Sequence, residues 1–161
     1  MIKDSGNRRE FKTGAVRDIQ EGKGRCDLLP LDVIAEHTEN VVLYWIAEFQ
    51  KSNDAQHLWK ALELFQYGAW NMGTVTTSQR MANTLLEVSK HFEEGAKKYG
   101  EYNWQKGIPV HCYIDSAVRH YLKWLRGDED EPHDRAFVWN ILCCIWTLKH
   151  IGEGKNDDQK N

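Results

Sequence analysis

The chain has 161 residues, of which 28% are charged and 41% are hydrophobic, and this composition is typical of a globular protein with one domain and a sizeable core. Its formal net charge of −3 argues against a general nucleic-acid binder, because such a protein needs a basic face to displace counterions. No apolar stretch reaches the roughly 18 residues of a membrane-spanning helix, and no signal-peptide core opens the chain, so we expect a cytoplasmic protein. The four cysteines lack metal-ligand spacing, which indicates free thiols.

The order of the predicted elements is simple. Residues 1–30 are polar and rich in glycine, and they predict an extended N-terminal arm. Hydrophobic periodicity then predicts about five helices, over 31–51, 54–71, 76–99, about 111–126, and 132 to about 150. Almost nothing indicates a strand, so we predict an all-α fold, a helical bundle that forms one domain over 1–150. A disordered tail is expected over 151–161.

The last predicted helix combines an apolar surface with a stripe of polar side chains. It is apolar nearly all round from Ala136 to Leu148, which predicts a central position. His133, Asn140 and Thr147 follow one another at intervals of seven residues and share a face. Burying an unpaired polar group costs about 1–3 kcal/mol, so the stripe must meet other polar groups or a ligand. A satisfied core network and a binding site explain this stripe equally well.

Charged and aromatic residues are concentrated in the second half of the chain. Acidic groups occur in FEEG, YIDS and GDEDEPHD, and basic groups in AKKYG, NWQKG and AVRHYLKW. Taken singly, these segments are explained most simply by salt bridges on a helix surface. Taken together, they offer carboxylates and imidazoles for a divalent cation, cations for phosphates, and aromatic rings for a base. This combination predicts a nucleoside triphosphate site, at which a metal ion activates water for attack on phosphorus.

The pair His133–Asp134 suggests a second kind of metal site. This pair is the centre of the motif of HD-type phosphohydrolases, which also need an upstream histidine and a further aspartate on a later helix. His120 could supply the histidine, but the later aspartate would be Asp157, which lies in the predicted tail. The HD interpretation is therefore incomplete.

Four segments carry a resemblance to a known family. They are GKGRCDLLP (22–30), FEEGAKKYGEYNWQKGIP (92–109), YIDSAVRHYLKWLRGD (113–128) and HDRAFVWNILC (133–143). They resemble the dATP/dGTP diphosphohydrolases, found largely in bacteriophages and prophages and grouped with the MazG-like all-α nucleotide pyrophosphohydrolases. The resemblance implies hydrolysis of purine (deoxy)nucleoside polyphosphates with Mg²⁺ or Mn²⁺, in the cytoplasm of a bacterial host cell. It also implies a homo-oligomer, because MazG-like enzymes build their sites across subunits.

The resemblance and the charge pattern together nominate site residues. Candidate metal ligands are Glu93, Glu94, Asp115, His120, His133 and Asp134. Catalysis is assigned within that set to Glu93, His120, His133 and Asp134. Candidate substrate contacts are Lys23, Arg25, Lys97, Lys98, Tyr99, Asn103, Trp104, Lys106, Arg119 and Asn140. Many relatives have a shorter stretch before the glutamate-bearing helix, so 31–80 is predicted to be a helical insertion.

Two other functions remain open at this point. The same basic and aromatic residues could sequester a nucleotide or a nucleotide-derived signal without cutting it, a role that suits a phage protein countering host defence. A purely structural or partner-binding helical protein is the other possibility, and it predicts no response to any nucleotide or divalent ion. For both hydrolysis and sequestration, the expected ligand is a purine nucleotide. Neither a membrane nor a long nucleic acid is expected as a partner.

Overall fold

A computed structural model describes residues 6–69 and 76–152, and the chain divides into two compact units. The first unit comprises Met1–Asp27 and Val88–Asn161, and the second comprises Leu28–Glu87. Most of the predicted tail, 153–161, lies outside the described residues. The single domain and the insertion over 31–80 stay predictions. In chain order the elements are β1 (Arg8–Glu10), β2 (Val16–Asp18), a 3₁₀ segment (Cys26–Leu28), α1 (Leu31–Thr38), α2 (Val41–Ser52), α3 (Ala55–Ala69), α4 (Thr77–Tyr99), a second 3₁₀ segment (Asn103–Lys106), α5 (Val110–Arg126) and α6 (His133–His150).

The all-α prediction is confirmed, but two helices occupy the stretch that was predicted to hold one. The backbone of Glu39 is left-handed, with φ of 53°, and this ends α1. Asn40 then caps α2, because its side-chain oxygen accepts a hydrogen bond from the backbone N–H of Leu43 at 3.0 Å. The prediction of one helix over 31–51 is therefore wrong, and the described residues contain six α-helices rather than about five.

The predicted extended N-terminal arm contains a short antiparallel hairpin, although almost nothing in the sequence indicated a strand. β1 and β2 pair so that Arg9 lies opposite Arg17. The turn is closed by a hydrogen bond from the N–H of Phe11 to the carbonyl of Ala15 at 2.9 Å, and the left-handed backbone of Gly14 has φ of 78°. Phe11 and Ala15 are buried. Strands of three residues are too short for a sequence period to reveal them.

The core of the first unit forms around α5 and α6. Tyr113, Ile141 and Phe137 are fully buried there, and α6 is buried on most of its circumference, which confirms its predicted central place. Its polar stripe is buried as well, since His133, Asn140 and Thr147 are 2%, 2% and 0% exposed. None of the described helices combines the length and the apolar character that crossing a membrane requires.

Asn103 attaches the hairpin to the helical part of the first unit. Its side-chain oxygen accepts a hydrogen bond from the N–H of Val16, and its amide group donates one to the carbonyl of Val16, both at 2.8 Å. A second attachment runs from the hydroxyl of Thr13 to the carbonyl of Gly107 at 2.8 Å. Asn103 is only 5% exposed, so both of its bonds to Val16 are shielded from water.

We expect Asn103→Ala to lower the free energy of unfolding by about 2 kcal/mol, because it leaves two backbone groups of Val16 without their partners. Urea denaturation followed by circular dichroism measures this change. Glu101→Ala, an exposed substitution in the same connection, is the control and should stay within about 0.5 kcal/mol of the parent chain. Equal stability of the Asn103 variant and the parent would show that the attachment contributes nothing.

Candidate functional site

The first unit encloses a cavity of about 1020 Å³, large enough for a small organic ligand. It lies among the hairpin, the end of α4, the connection after α4, α5 and α6. Its cationic side chains are Arg9, Arg17, Lys23, Lys98, Arg119 and Lys123. Its aromatic side chains are Phe92, Tyr99, Tyr102, Trp104 and Trp139. Its carboxylates and imidazoles are Asp18, Glu93, Glu101, Asp130, Glu131, His91 and His120.

Two arginines of the hairpin lie side by side in the cavity wall. The register places Arg9 opposite Arg17, and both approach Cys112 of α5: an Arg9 guanidinium nitrogen lies 2.8 Å from its sulfur, and Arg17 donates to its carbonyl at 2.9 Å. Arg17 also donates to Ser116 at 3.1 Å and to Asn140 at 2.9 Å. Within the described part of the chain, neither arginine forms an ion pair with a carboxylate. Like charges opposed across a hairpin repel, so this wall favours an anion.

Arg9 retains an unsatisfied group as well. Its Nε atom is buried and has no hydrogen-bond partner among the described residues. Neither Arg9 nor Arg17 is among the site residues predicted from the sequence, whereas Lys23 and Arg25 of the same arm are. Only the hairpin register brings these two arginines together, so no local sequence signal could have identified the pair.

Aromatic rings form a second wall of the cavity. The ring of Phe92 lies 5.4 Å from that of Trp104 and 5.8 Å from that of Trp139. Trp104 is held from behind by Trp146, with 4.9 Å between ring centroids and an edge-to-face arrangement. Rings fixed in this way provide flat apolar surfaces at little cost in conformational entropy. Such surfaces suit a planar heterocyclic ring.

His91 of α4 is a buried histidine beside this aromatic wall. It is 7% exposed, and its ring centroid lies 5.4 Å from that of Trp139. Burial, with the nearby charge of Arg135 acting in the same direction, lowers the pKa of His91 to about 4. The imidazole is therefore neutral near pH 7, and its Nδ1 atom has no hydrogen-bond partner among the described residues. His91 is not among the site residues predicted from the sequence.

A group of imidazoles and carboxylates lies where α5 and α6 meet. The Nδ1 atoms of His120 and His133 are 2.9 Å apart, and the Nε2 atom of His133 is 2.8 Å from a carboxylate oxygen of Asp130. Burial, and next the neighbouring His133, hold the pKa of His120 well below its ordinary range, so its ring is neutral. Two sets of possible metal ligands share His133, each with donor atoms within 4.8 Å of one another: His120, Glu131 and His133, and Asp128, Asp130 and His133.

The structure brings two of the six predicted metal ligands, His120 and His133, into contact. Asp115 is 1% exposed, and its carboxylate accepts hydrogen bonds from the backbone N–H of Cys26 at 2.6 Å and from Gln20 at 2.9 Å, and pairs with Arg119. Asp115 therefore fixes the end of the arm against α5.

The other three predicted metal ligands, Glu93, Glu94 and Asp134, are not in contact with these two histidines in any of the interactions described below. Glu94 forms an ion pair with Arg135 at 2.8 Å. Glu93 lines the cavity, is exposed, and pairs with Lys97 on the same helix. Asp134 occupies the first turn of α6 and does not line the cavity.

The predicted substrate contacts divide into two groups. Lys106, an exposed side chain, makes a long hydrogen bond of 3.4 Å to the carbonyl of Gly14 and does not line the cavity. Arg25, paired with Asp27 at 2.5 Å, and Lys97 also do not line it. The residues that do line the cavity are Lys23, Lys98, Tyr99, Asn103, Trp104, Arg119 and Asn140.

The fold and the cavity define an α-helical protein in which one unit combines cationic, aromatic and imidazole side chains around a single space. A family model described as dATP/dGTP diphosphohydrolase, N-terminal, matches residues 66–159. This match covers more than half of the chain, so the chain belongs to that family, and the family name describes a hydrolase. Neither a curated protein nor a solved structure matches the chain. The hairpin with Arg9 and Arg17 precedes the matched segment.

Proposed function

We propose that this chain hydrolyses a purine deoxynucleoside triphosphate in the cavity of its first unit, and that a divalent ion is required. The products are the nucleoside monophosphate and pyrophosphate. The observation that carries the proposal is the opposed pair Arg9 and Arg17, without carboxylate partners in the described part of the chain, in one cavity with the aromatic wall. The family name supports the reaction class.

The cationic wall suits the triphosphate. Guanidinium groups bind phosphate oxygens through charge-assisted hydrogen bonds, and an ordered pair of them loses little entropy on binding. The ammonium groups of Lys23 and Lys98 lie around the same cavity. Lys23 is paired with Asp18 at 2.7 Å, so it must exchange that partner for a phosphate, whereas neither arginine has a carboxylate to release among the described residues.

The aromatic wall suits the base. Stacking of a nucleobase on aromatic side chains is worth about 1–3 kcal/mol per base. A bicyclic purine covers more ring surface than a pyrimidine does, so the wall formed by Phe92, Trp104 and Trp139 favours purines. Trp139 also lies within 6.0 Å of the guanidinium carbon of Arg17, which brings the two walls together.

The donor set between α5 and α6 fits a divalent ion, because imidazoles and carboxylates converge there and two of them, His120 and Glu131, line the cavity. The ion, when bound, supplies charge stabilisation for phosphate oxygens and a more acidic water. The Glu93 carboxylate, at the cavity, accepts a proton from the attacking water. The water oxygen forms a new bond to phosphorus as the bridging oxygen departs with pyrophosphate, and the cationic side chains hold the charge on that leaving group.

Incubation of the purified protein with each deoxy- and ribonucleoside triphosphate, with Mn²⁺ or Mg²⁺, tests this function. Chromatographic separation of bound, free and cleaved nucleotide should show dAMP or dGMP and pyrophosphate from the purine substrates. Tight binding without any product, with and without metal, would instead support sequestration. Absence of both binding and cleavage would contradict every nucleotide-based function.

Arg9→Gln is expected to weaken binding of a purine deoxynucleoside triphosphate by about 10–100-fold, since it removes a charge-assisted contact of about 1.5–3 kcal/mol. Isothermal titration with a non-hydrolysable triphosphate analogue measures the affinity. Arg8→Gln is the matched control: the neighbouring strand residue points to the other face, pairs with Asp18 at 3.7 Å and does not line the cavity. Equal losses for the two variants would mean that the cavity arginine has no specific role.

A further inference from the structure

We propose that one divalent transition-metal ion binds between His120, Glu131 and His133, and that Asp130 is a positioning residue for His133 rather than a metal ligand. This inference deepens the proposed function by assigning its metal site. Metal binding can be measured without nucleotide, however, so the site and the reaction can be tested separately.

The carboxylates of the two possible ligand sets differ in their existing partners. Asp128 is bound by the guanidinium group of Arg126, with a hydrogen bond of 2.7 Å from Nε. Asp130 contacts both Lys123, at 3.3 Å, and His133, at 2.8 Å. Glu131 has no hydrogen-bond or ion-pair partner within residues 6–69 and 76–152, so its carboxylate is the one that can bind an ion without losing a contact.

The two nitrogens of His133 point to different partners, and this decides between the sets. An imidazole that binds a metal ion does so through the lone pair of one nitrogen while the other nitrogen carries its proton, so His133 can offer a lone pair to only one side. Asp130 is a hydrogen-bond acceptor at Nε2, which leaves the lone pair on Nδ1, the atom that is 2.9 Å from Nδ1 of His120. A carboxylate that holds the far nitrogen of a metal-binding histidine is the usual outer partner in such sites.

The separation of the two histidine nitrogens also suits a shared ion. Nitrogen donors about 2.1 Å from one ion and at a right angle to each other would be about 3.0 Å apart, close to the separation of 2.9 Å between the two Nδ1 atoms. The ion would replace the hydrogen bond that the two rings now share, and the proton that His120 carries on Nδ1 in that bond would move to its Nε2 atom. Two imidazoles with one carboxylate favour a first-row transition metal, so we expect Mn²⁺ to bind in preference to Mg²⁺.

Titration of the chelator-treated full-length protein with Mn²⁺, followed by the electron paramagnetic resonance signal of the free ion, tests the site. Glu131→Gln and His120→Gln should weaken Mn²⁺ binding at least about 100-fold, and Asp130→Asn about 10–100-fold through the loss of its orienting role. Asp128→Asn is the matched control and should stay within about twofold. A hundredfold excess of Mg²⁺ should fail to displace Mn²⁺. Circular dichroism confirms that each variant is folded.

Loss of binding in Asp128→Asn, with binding retained in Glu131→Gln, would overturn the proposal in favour of the other set. Unchanged binding in all variants, or no binding by the parent chain, would overturn it outright. Hydrolysis that persists in variants without Mn²⁺ binding would refute the role of this site in hydrolysis while leaving the proposed reaction intact. Binding at this site without hydrolysis of any nucleotide would instead support the site and contradict the reaction.

Discussion

Replacing Arg17 with alanine is expected to lower the free energy of unfolding by about 4 kcal/mol, because three hydrogen bonds from a charged donor are lost together. The acceptors left behind are the carbonyl of Cys112, the hydroxyl of Ser116 and the amide oxygen of Asn140. Asn140 is 2% exposed, so water cannot easily replace the guanidinium group there. Urea denaturation of the variant and the parent chain measures the difference.

Two further variants separate the geometry of Arg17 from its charge. Arg17→Lys keeps the charge but lacks the planar fork, so it should recover less than half of the lost stability. Arg126→Ala removes an arginine whose side chain is 70% exposed, and the loss of its surface ion pair with Asp128 should cost less than about 1 kcal/mol. A loss of less than 1 kcal/mol for Arg17→Ala would show that the hairpin is not held through this side chain.

Acidification is expected to destabilise the protein between about pH 6.5 and pH 4, in large part through His91. The imidazole binds a proton with a pKa near 6.5 in the unfolded chain, whereas burial holds its folded pKa at about 4. Between these values the unfolded state binds more protons, so stability falls as pH falls, by about 1.4 kcal/mol per pH unit and about 3 kcal/mol in total. Above pH 6.5 both states are neutral at this residue, and its contribution does not change.

His91→Gln removes the titrating group and provides the measurement. The difference in free energy of unfolding between pH 7.5 and pH 5 should be about 2 kcal/mol smaller in the variant than in the parent chain. His37→Gln, at an exposed position of α1, controls for the loss of one histidine. If the His91 variant keeps the pH dependence of the parent chain, another group is responsible for it.

The predicted helices that the structure confirms depend on local signals. The apolar period and the stop at Gly100 place α4, and the buried polar stripe of α6 follows from its spacing. The same local signals predict one helix in place of α1 and α2, because the apolar period continues across 31–51 and gives no sign of the left-handed residue Glu39. A capping asparagine such as Asn40 is the signal that could have divided them.

The sequence predicted which kinds of side chain form the candidate site, but only some of the individual residues. The family segments and the concentration of charge indicated Lys98, Tyr99, Trp104, Arg119 and His120, all of which line the cavity. The individual metal ligands could not be derived in this way, because a carboxylate close in sequence to a histidine is often engaged elsewhere. Asp115 is an example, since it binds the arm and Arg119.

The sequence by itself determined the helical class of the protein, the central place of α6 and the family, because helical periodicity and family motifs are properties of short contiguous segments. Only the tertiary structure decided which cations meet in the cavity and which carboxylate remains available beside His120 and His133. The strand register brings Arg9 and Arg17 together. The carboxylate of Glu131 stays available because ion pairs engage those of its neighbours Asp128 and Asp130. Contacts between residues distant in the chain follow from packing, which no local pattern encodes.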